Sequence, residues 1–265
     1  MKKIMLLLYT VSLLTVACHK DEQDSSDSSQ TESPSTATMI TNAVTDYDGN
    51  KYDAVKIGNQ IWMASNLRTT HFPNGDEIPR GINDTDGSIF EPFCYYPNNS
   101  ANNVSLYGYL YNKPEVMHGE SASNSNPSGV QGICPNGWHV PSDEEWTELK
   151  NTVSSKAEFR CGNCESCIVK ALSATTGWAN DNGQCNAGNN QSTNNGTGFS
   201  ARPAGFYKAS DAEYQDFGNK ACFWSATNYV GPSSGYSHGI YYNSPMVNTY
   251  PHNADDGLSV RCVKD

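Results

Sequence analysis

Cysteines are the residues whose type and spacing most clearly suggest chemistry in this chain. Cys161, Cys164 and Cys167 are spaced as CxxCxxC, and Cys185 follows downstream. Four thiolates could hold zinc or an iron–sulfur cluster, whereas the same cysteines in an exported protein would oxidise to disulfides. No strong His or Pro signature flanks the set. We therefore expect two disulfides within this cysteine cluster, with their pairing left open.

The other cysteines of the nine in the chain have separate expected roles. Cys18 is assigned to lipidation below, and without it an even number remains, as in a disulfide-bonded exported protein. Cys134 precedes a predicted helix and Cys262 lies in the predicted last strand, so a bridge between them would tie the two ends of the core together. Cys94 and Cys222 would then pair with each other by elimination.

Histidine spacing and net charge exclude some functional classes. The six histidines include no HExxH pair, and His139, between Trp138 and Val140, is interpreted as a packed structural residue. The chain carries 17 basic and 28 acidic residues, a net charge of -11 at pH 7. A chain this acidic is not expected to bind nucleic acid.

The helix that must position much of this chemistry lies in the stretch CPNGWHVPSDEEW. Ser142 precedes Glu145 by three residues, the spacing of a capping box, so a helix is predicted to begin there. Trp146, Leu149 and Val153 follow as an apolar stripe, which a sheet has to cover.

The terminal segment GLSVRCVKD is predicted to be one strand of that sheet. Leu258, Val260 and Cys262 alternate with Ser259 and Arg261, which is the pattern of a half-buried strand. The three apolar residues are therefore expected to face the core.

The remaining elements are predicted from short apolar runs and turn residues. Gly58-Asn59 indicates a hairpin turn within VKIGNQIWM, a second helix is expected around Cys164 to Ala174, and Asn180 to Gly198 has the composition of a long loop. Further strand candidates are YGYLYN, which could also be a short helix, GFSARPAGFY, CFWSATN, GIYYN and MVNTY. Strands and helices that are grouped in blocks indicate an α+β fold with a mainly antiparallel sheet.

Residues 1–17 have the features of an export signal. Two lysines precede an apolar run that ends at Ala17. The run is shorter than the ~20 residues of a membrane-spanning helix, so a cleaved signal peptide is predicted. It ends in TVAC, which resembles the lipobox of bacterial lipoproteins, although Thr15 stands where leucine is usual. The resemblance implies that Cys18 is lipidated and anchors the chain to a membrane; a soluble exported protein is the alternative.

Residues 18–39 are predicted to be a disordered linker. They are rich in Ser, Thr, Asp and Glu and contain no aromatic residue, so they cannot bury enough apolar area to fold. Lys20-Asp21-Glu22 resembles the signal that sends some Bacteroidetes-type lipoproteins to the outer face of the outer membrane; a solvated charge run is the alternative. Residues 40–265 are predicted to form one domain.

Seven segments of this domain resemble the Fibrobacter succinogenes major paralogous domain, which is found in many Bacteroidetes lipoproteins. In order, they are VKIGNQIWMASNL, FCYYPNN, YGYLYN, CPNGWHVPSDEEWTEL, TGFSARPAGFY, FWSATN and GLSVRCVKD. The resemblance implies a C-type-lectin-like domain with two helices, a small central sheet and long loops. The cysteine cluster is an addition to the family pattern.

The same resemblance raises an enzyme alternative. Sulfatase-modifying enzymes share the superfold, but the GNVWEW and RGGS segments that they usually carry are absent here. Their chemistry also needs a reactive thiol pair, whereas these cysteines are expected to be bridged. The sequence therefore predicts no enzymatic activity.

Calcium is the second alternative, because many C-type lectins bind sugar through it with Glu-Pro-Asn and Trp-Asn-Asp tripeptides. This chain has Glu-Pro-Phe and Trp-Ser-Ala instead, so no cofactor and no metal site are expected. One cluster of oxygen groups that could bind calcium remains, formed by Asn253, Asp255 and Asp256. The alternative is that these residues form a simple turn before the last strand.

A tyrosine-rich segment is the predicted binding face. Between residues 228 and 253, tyrosines are mixed with Ser, Asn and Gly, a composition like that of antibody paratopes. The candidate binding residues are Tyr236, Tyr241, Tyr242 and Tyr250, which are expected to converge; a lining of the core by the same tyrosines is the alternative. The predicted function is a surface lipoprotein module that binds extracellular glycan or protein, with a structural or pilus-like assembly subunit as the alternative.

Overall fold

The computed structural model describes residues 37–80 and 94–265. Its α-helices are α1 (Val104–Tyr107), α2 (Lys113–Met117), α3 (Asp143–Ser155) and α4 (Val169–Leu172). Its strands are β1 (Thr38–Thr45), β2 (Lys51–Ile57), β3 (Gln60–Met63), β4 (Cys94–Tyr95), β5 (Leu110–Tyr111), β6 (Trp138–His139), β7 (Phe206–Lys208), β8 (Glu213–Gln215), β9 (Lys220–Asn228), β10 (Ser234–Tyr241), β11 (Asn248–Asn253) and β12 (Val263–Lys264). The class is α+β, as predicted.

The strands form several small sheets. A five-stranded sheet has the order β1-β2-β3-β12-β6, a three-stranded sheet has the order β11-β10-β9, and β4-β5 and β7-β8 form two-stranded sheets. All of these strand pairs are antiparallel. The mainly antiparallel arrangement is therefore confirmed, but the strands are divided among sheets.

The predicted signal peptide, Cys18 and nearly all of the predicted linker lie outside the described residues. β1 begins at Thr38, slightly before the predicted start of the domain at residue 40. Among the described residues, no helix is long and apolar enough to cross a membrane.

The hairpin between β2 and β3 turns at Gly58, as predicted. Gly58 has a φ of +62°, which suits a residue without Cβ. A Cβ at this position would also lie 2.7 Å from the Thr152 methyl group of α3. Glycine therefore permits both the turn and the close approach of the hairpin to the helix.

Helix α3 begins where the capping box places it. The Ser142 side chain accepts a hydrogen bond from the Glu145 N–H, and the Glu145 side chain accepts one from the Ser142 N–H. The predicted stripe is buried, and the Trp146 ring lies 4.7 Å from the Trp62 ring and 5.5 Å from the Phe223 ring, centroid to centroid. The stripe is thus covered by strands of both larger sheets.

The second predicted helix is much shorter than expected, because only Val169–Leu172 is helical. Before it, the Cys161 N–H donates to the Cys167 carbonyl at 2.9 Å and folds the chain into a turn. The carbonyl groups of α4 accept hydrogen bonds from the loop that follows it. For example, the Ala201 N–H donates to the Leu172 carbonyl at 2.8 Å. These contacts with the loop replace the bonds that would continue the helix.

The terminal segment is also different from the prediction, since only Val263–Lys264 is a strand. Ser259 and Arg261 are buried and do not face solvent. The segment is bonded on both sides: the Leu67 N–H donates to the Val260 carbonyl at 3.0 Å, and the Trp224 N–H donates to the Ser259 carbonyl at 3.1 Å. A segment between two layers has no solvent side, so its polar residues are enclosed.

Three disulfides are present among the described cysteines. Cys134 is bonded to Cys262 as predicted, and the cysteine cluster forms the bridges Cys161–Cys185 and Cys164–Cys167. The predicted pairing of Cys94 with Cys222 is wrong, because both are free and buried. The reason is topological: Cys94 belongs to the β4-β5 sheet and Cys222 to the β9-β11 sheet.

Candidate functional site

The candidate binding residues lie in and beside the sheet of β9, β10 and β11, in which β10 is central. Residues paired across antiparallel strands point to the same side of a sheet, and neighbours along a strand point to opposite sides. Gly239 of β10 pairs with Cys222 and Asn248, and Ser237 pairs with Tyr250. We call the side that carries Lys220, Cys222, Ser237, Tyr241, Tyr250 and His252 the cysteine face, and the side that packs on α3 the helix face.

Tyr241 and Tyr250 lie together on the cysteine face, where they surround a lysine. The buried Lys220 ammonium lies 4.7 Å from the Phe206 ring centroid, 5.1 Å from that of Tyr241 and 5.4 Å from that of Tyr250. Aromatic faces stabilise a cation at such distances. These two tyrosines therefore enclose a cation that belongs to the protein itself.

Tyr236 lies at the other end of β10 and points to the opposite side from Tyr241. Its ring makes an edge-on contact with Tyr229, with the centroids 5.2 Å apart. Tyr229 is 49% exposed, and Val230 beside it is 68% exposed. We call Tyr229, Val230 and Tyr236 the hairpin platform, because they lie at the turn between β9 and β10.

Tyr242 joins neither group. Its side chain packs against the core around α3 and α4. Its backbone N–H donates to the Asn219 carbonyl at 2.9 Å, and its carbonyl accepts from the Gly188 N–H at 2.8 Å. The candidate tyrosines therefore do not converge on one face, because the alternation of β10 and its end at residue 241 send them to three places.

A thiol, an imidazole and a carboxylate are aligned on the cysteine face. His252 Nε2 lies 3.7 Å from Cys222 Sγ, and His252 Nδ1 lies 3.0 Å from Asp256 Oδ2. The other Asp256 oxygen accepts the Ala209 N–H at 3.0 Å, which holds the carboxylate in place. A thiol beside an imidazole that a third group orients is the arrangement that activates a cysteine as a nucleophile.

The charges of this cluster shift the pKa values of its members. Burial alone would raise the pKa of Cys222, but the Lys220 ammonium and His252 outweigh burial and lower it to about 7. Burial alone would lower the pKa of His252, but Cys222 and Asp256 outweigh burial and raise it to about 9. A thiolate and an imidazolium therefore coexist near neutral pH.

Cys222 is fully buried beneath the side chains of its neighbours. Ser237 Oγ lies 3.5 Å from Sγ and donates to the Tyr250 carbonyl at 3.1 Å. Above the neighbouring Gly239, a Cβ would lie 3.4 Å from Lys220 Cε and 3.7 Å from ring atoms of Tyr241 and Tyr250. The lack of a side chain at Gly239 leaves the space that these three side chains fill.

His139 has the structural environment expected for it. It is buried, with Nε2 2.6 Å from Glu145 and Nδ1 2.7 Å from the terminal Asp265. Burial acts to lower the pKa of His139, but the two carboxylates outweigh burial and raise it. His139 thus links the start of α3 to the end of the chain.

The segment of Asn253, Asp255 and Asp256, named above as an oxygen cluster, forms a turn. The Asp256 N–H donates to the Asn253 carbonyl at 3.0 Å, and the Asp256 carboxylate is engaged by His252 and Ala209 as described above. In residues 37–80 and 94–265, no group of three or more His, Cys, Asp or Glu side chains is placed to hold a metal ion.

A separate cleft of about 680 Å³ opens beside β1. Its polar lining includes Asn42, Lys51, Asp53 and Asn195. Asp53 is already engaged there, because its carboxylate accepts the Asn42 N–H at 2.8 Å. No motif of the sequence analysis indicates this cleft.

The cluster on the cysteine face was also missed from the sequence. Lys220 and Cys222 are spaced by two, as are Tyr250 and His252, so the period of a strand could have placed each pair on one side. The two pairs meet only through the register of β9, β10 and β11. That register depends on long-range pairing, which spacing alone does not reveal.

The protein is an α+β domain of small antiparallel sheets and short helices. A disulfide joins Cys134, which precedes β6 and α3, to Cys262 in the terminal segment. The family model of the Fibrobacter succinogenes major domain matches residues 55–264, and the chain belongs to this family. Membership of this family is consistent with a domain at the cell surface. No curated protein matches the chain significantly. No solved structure does so either, and the likeness to C-type lectins stays a prediction.

Proposed function

We propose that this domain is a binding module for extracellular glycan or protein, held at the cell surface by a lipid on Cys18. The proposal rests on the hairpin platform. Tyr229 and Val230 are exposed there, although most large apolar side chains of the described residues are buried. Exposed aromatic and apolar groups that lie together are typical of interaction sites.

The hairpin platform is held in a fixed shape before any ligand arrives. The Tyr229 N–H donates to the Ser234 carbonyl at 3.2 Å. The Ser234 hydroxyl bonds both the N–H and the carbonyl of Val230 at 3.2 Å. A preformed loop loses little conformational entropy on binding, and flat tyrosine faces beside amide and hydroxyl groups suit sugars as well as peptides.

The assembly alternative would use an exposed strand edge, and two outer strands of the larger sheets, β11 and β1, are poorly suited to it. β11 is an edge strand that contains Pro251, which has no N–H to offer an added strand. β1 is the edge of the five-stranded sheet, and its pairing is interrupted between Ile40 and Val44, where Asn42 has a φ of +49°. Such features discourage pairing between molecules.

Binding is tested with soluble residues 37–265 on a glycan array and an array of extracellular proteins. For the ligand found, we expect Tyr229→Ala combined with Tyr236→Ala to weaken affinity by at least about tenfold, since removal of central aromatic contacts typically costs more than 1 kcal/mol. Tyr47→Ala is the matched control, because Tyr47 is 61% exposed in a different turn. A loss of affinity in Tyr241→Ala and Tyr250→Ala, with the platform variant unaffected, would move the site to the cysteine face.

The anchor and its orientation are tested on intact cells. We expect a fatty-acid analogue to label the wild-type chain and not Cys18→Ala, because acylation requires that thiol. Protease added outside the cells should degrade the domain. Persistent labelling of the variant, or full protection from protease, would contradict the surface anchor.

A further inference from the structure

We propose that Cys222 is a reactive thiol site that forms a mixed disulfide with a small disulfide molecule, assisted by His252 and Asp256. This inference is independent of the proposed binding function, because the hairpin platform points to the other side of the sheet. It concerns a modification site buried in the fold.

Three ionisable side chains, Asp256, His252 and Lys220, form one cluster with the Cys222 sulfur. Asp256 Oδ2 lies 3.0 Å from His252 Nδ1, His252 Nε2 lies 3.7 Å from Cys222 Sγ, and Lys220 Nζ lies 3.4 Å from His252 Nε2. The adjacent Lys220 and His252 cations would repel each other, and an anionic sulfur beside them, together with Asp256, brings the net charge of the cluster to zero. The thiolate is the form that attacks disulfides.

The second free cysteine shows that burial alone does not produce this environment. Cys94 is also buried, and burial raises its pKa to about 12, with Arg80 as an opposing cation and Glu115 adding to the rise. The pKa of Cys222 is lowered to about 7. The protein therefore offers two buried thiols for comparison. Cys222 has an imidazole and a lysine that favour its thiolate, and Cys94 lacks an imidazole partner of this kind.

The size of the reactant follows from the covering of the site. Cys222 has no exposed surface, and the most exposed side chain over it is Tyr250, at 36%. His252 is 9% exposed. Movement of the Tyr250 ring would admit a small molecule beside His252, whereas a macromolecular substrate would require the sheet to open.

The chemical step is a thiol–disulfide exchange. The Cys222 thiolate attacks one sulfur of the small disulfide, a bond forms between Cys222 Sγ and that sulfur, and the original sulfur–sulfur bond breaks. The second half leaves as a thiolate and takes the proton from His252 Nε2, whose remaining Nδ1–H donates to Asp256. Cys222 is oxidised, and the small disulfide is reduced by one thiol equivalent.

The test treats the folded full domain with hydroxyethyl disulfide, a small neutral probe, and follows the adduct by intact mass and peptide mapping. We expect one adduct on Cys222 in the wild type and in Cys94→Ser, and none in Cys222→Ser. The rate should rise with a midpoint near the pKa of about 7 of Cys222. Modification of Cys94 at an equal rate, or modification only after denaturation, would overturn the proposal.

Two variants separate activation from access. His252→Asn should slow the exchange at pH 7 by at least about tenfold and move the midpoint upward, because the thiolate loses its charged partner. Tyr250→Ala should speed the exchange by uncovering the site, with a smaller change of midpoint than in His252→Asn because His252 and Lys220 remain. If Cys222→Ser fails to fold, peptide mapping of the wild type still locates the adduct; an unchanged profile in folded His252→Asn would overturn the role of His252.

Discussion

The two sides of the β9-β11 sheet each hold a histidine beside a carboxylate and a lysine, yet near pH 7 the His238 ring is neutral and the His252 ring is positively charged. On the helix face, His238 Nε2 lies 2.9 Å from Asp143 Oδ1. On the cysteine face, His252 Nδ1 lies 3.0 Å from Asp256 Oδ2. The distance to the carboxylate is almost the same in the two sites, so it does not explain the difference.

The pKa values differ because the remaining neighbours differ. Burial lowers the pKa of His238 to about 4, with Asp143 opposing burial and Lys150 adding to it, and the ring is stacked on Trp146 at 4.8 Å between centroids. The pKa of His252 is about 9, raised against burial mainly by Cys222 and then by Asp256.

One sheet can therefore have two sides with different roles. An indole beside His238 supplies packing and no charge, so this ring stays neutral in the core of the helix face. A sulfur beside His252 supplies a group that can itself become an anion, so the cysteine face holds a charged network. The expected effects of substitutions on the two faces are correspondingly different.

The largest expected effect is the loss of packing on the helix face. Trp146→Ala should lower the free energy of unfolding by about 3–5 kcal/mol, because it removes a large buried side chain and leaves a cavity. Tyr250→Ala on the cysteine face is the control, and its cost should stay below about 1 kcal/mol because the side chain is partly exposed. Urea denaturation measures both changes. Equal losses in the two variants would remove the proposed division between a packing face and a reactive face.

Features of the helix face were predictable from the sequence because their signals are local. The capping box of Ser142 and Glu145 spans four residues, and the apolar stripe of α3 follows from helical spacing. The bridge from Cys134 to Cys262 also followed once those residues were assigned to the ends of the core.

The cysteine face could not be predicted in the same way. Its members come from β9, β10 and β11, and they meet only when these three strands pair in one register. Asp256 joins them from the turn that follows β11. The prediction that Arg261 faces solvent was wrong for a related reason. Alternation predicts that one side of a strand is exposed, whereas this segment lies between two layers. The predicted length of the second helix was wrong because hydrogen bonds from the loop after α4 replace the helical bonds. Tertiary contacts here override helix propensity.

The acid dependence of stability should come from the helix face. The pKa of His238 is about 4 in the folded chain, against about 6.5 for an unperturbed histidine. Between these values the unfolded chain binds a proton that the folded chain does not, so stability falls as pH falls through this window. The loss is on the order of 3 kcal/mol.

The measurement compares urea denaturation of the wild type and His238→Gln at pH 7 and pH 4. The variant should lose less stability between the two pH values, since glutamine does not titrate. Carboxylates that do not contact His238 contribute equally to both proteins and cancel in the comparison. Asp143 does contact it, but its lowered pKa places its titration in the wild type below this pH range. An identical loss in the two proteins would show that His238 is protonated at the same pH folded and unfolded.

The smallest expected effect is a change of charge on the cysteine face without a large change in packing. Cys222→Ser replaces the sulfur with a hydroxyl that does not ionise in the accessible range, so the pKa of His252 should fall from about 9 by at least about one unit, equivalent to ~1.4 kcal/mol. Titration of the His252 ring by NMR measures the fall, and Cys94→Ser should leave the pKa unchanged.

The same substitution should reveal a pH dependence that the wild type hides. A pKa raised in the folded chain gives His252 a stabilising contribution that is complete below about pH 6.5 and is lost as pH rises through its folded value. Cys222 has a lowered pKa, so its contribution grows with rising pH, and the two slopes oppose each other between about 7 and about 9. Without the thiol only the histidine slope remains, shifted to lower pH. A His252 pKa that stays near 9 in Cys222→Ser would mean that Asp256 alone holds the proton, and the sulfur would not be what distinguishes the two faces.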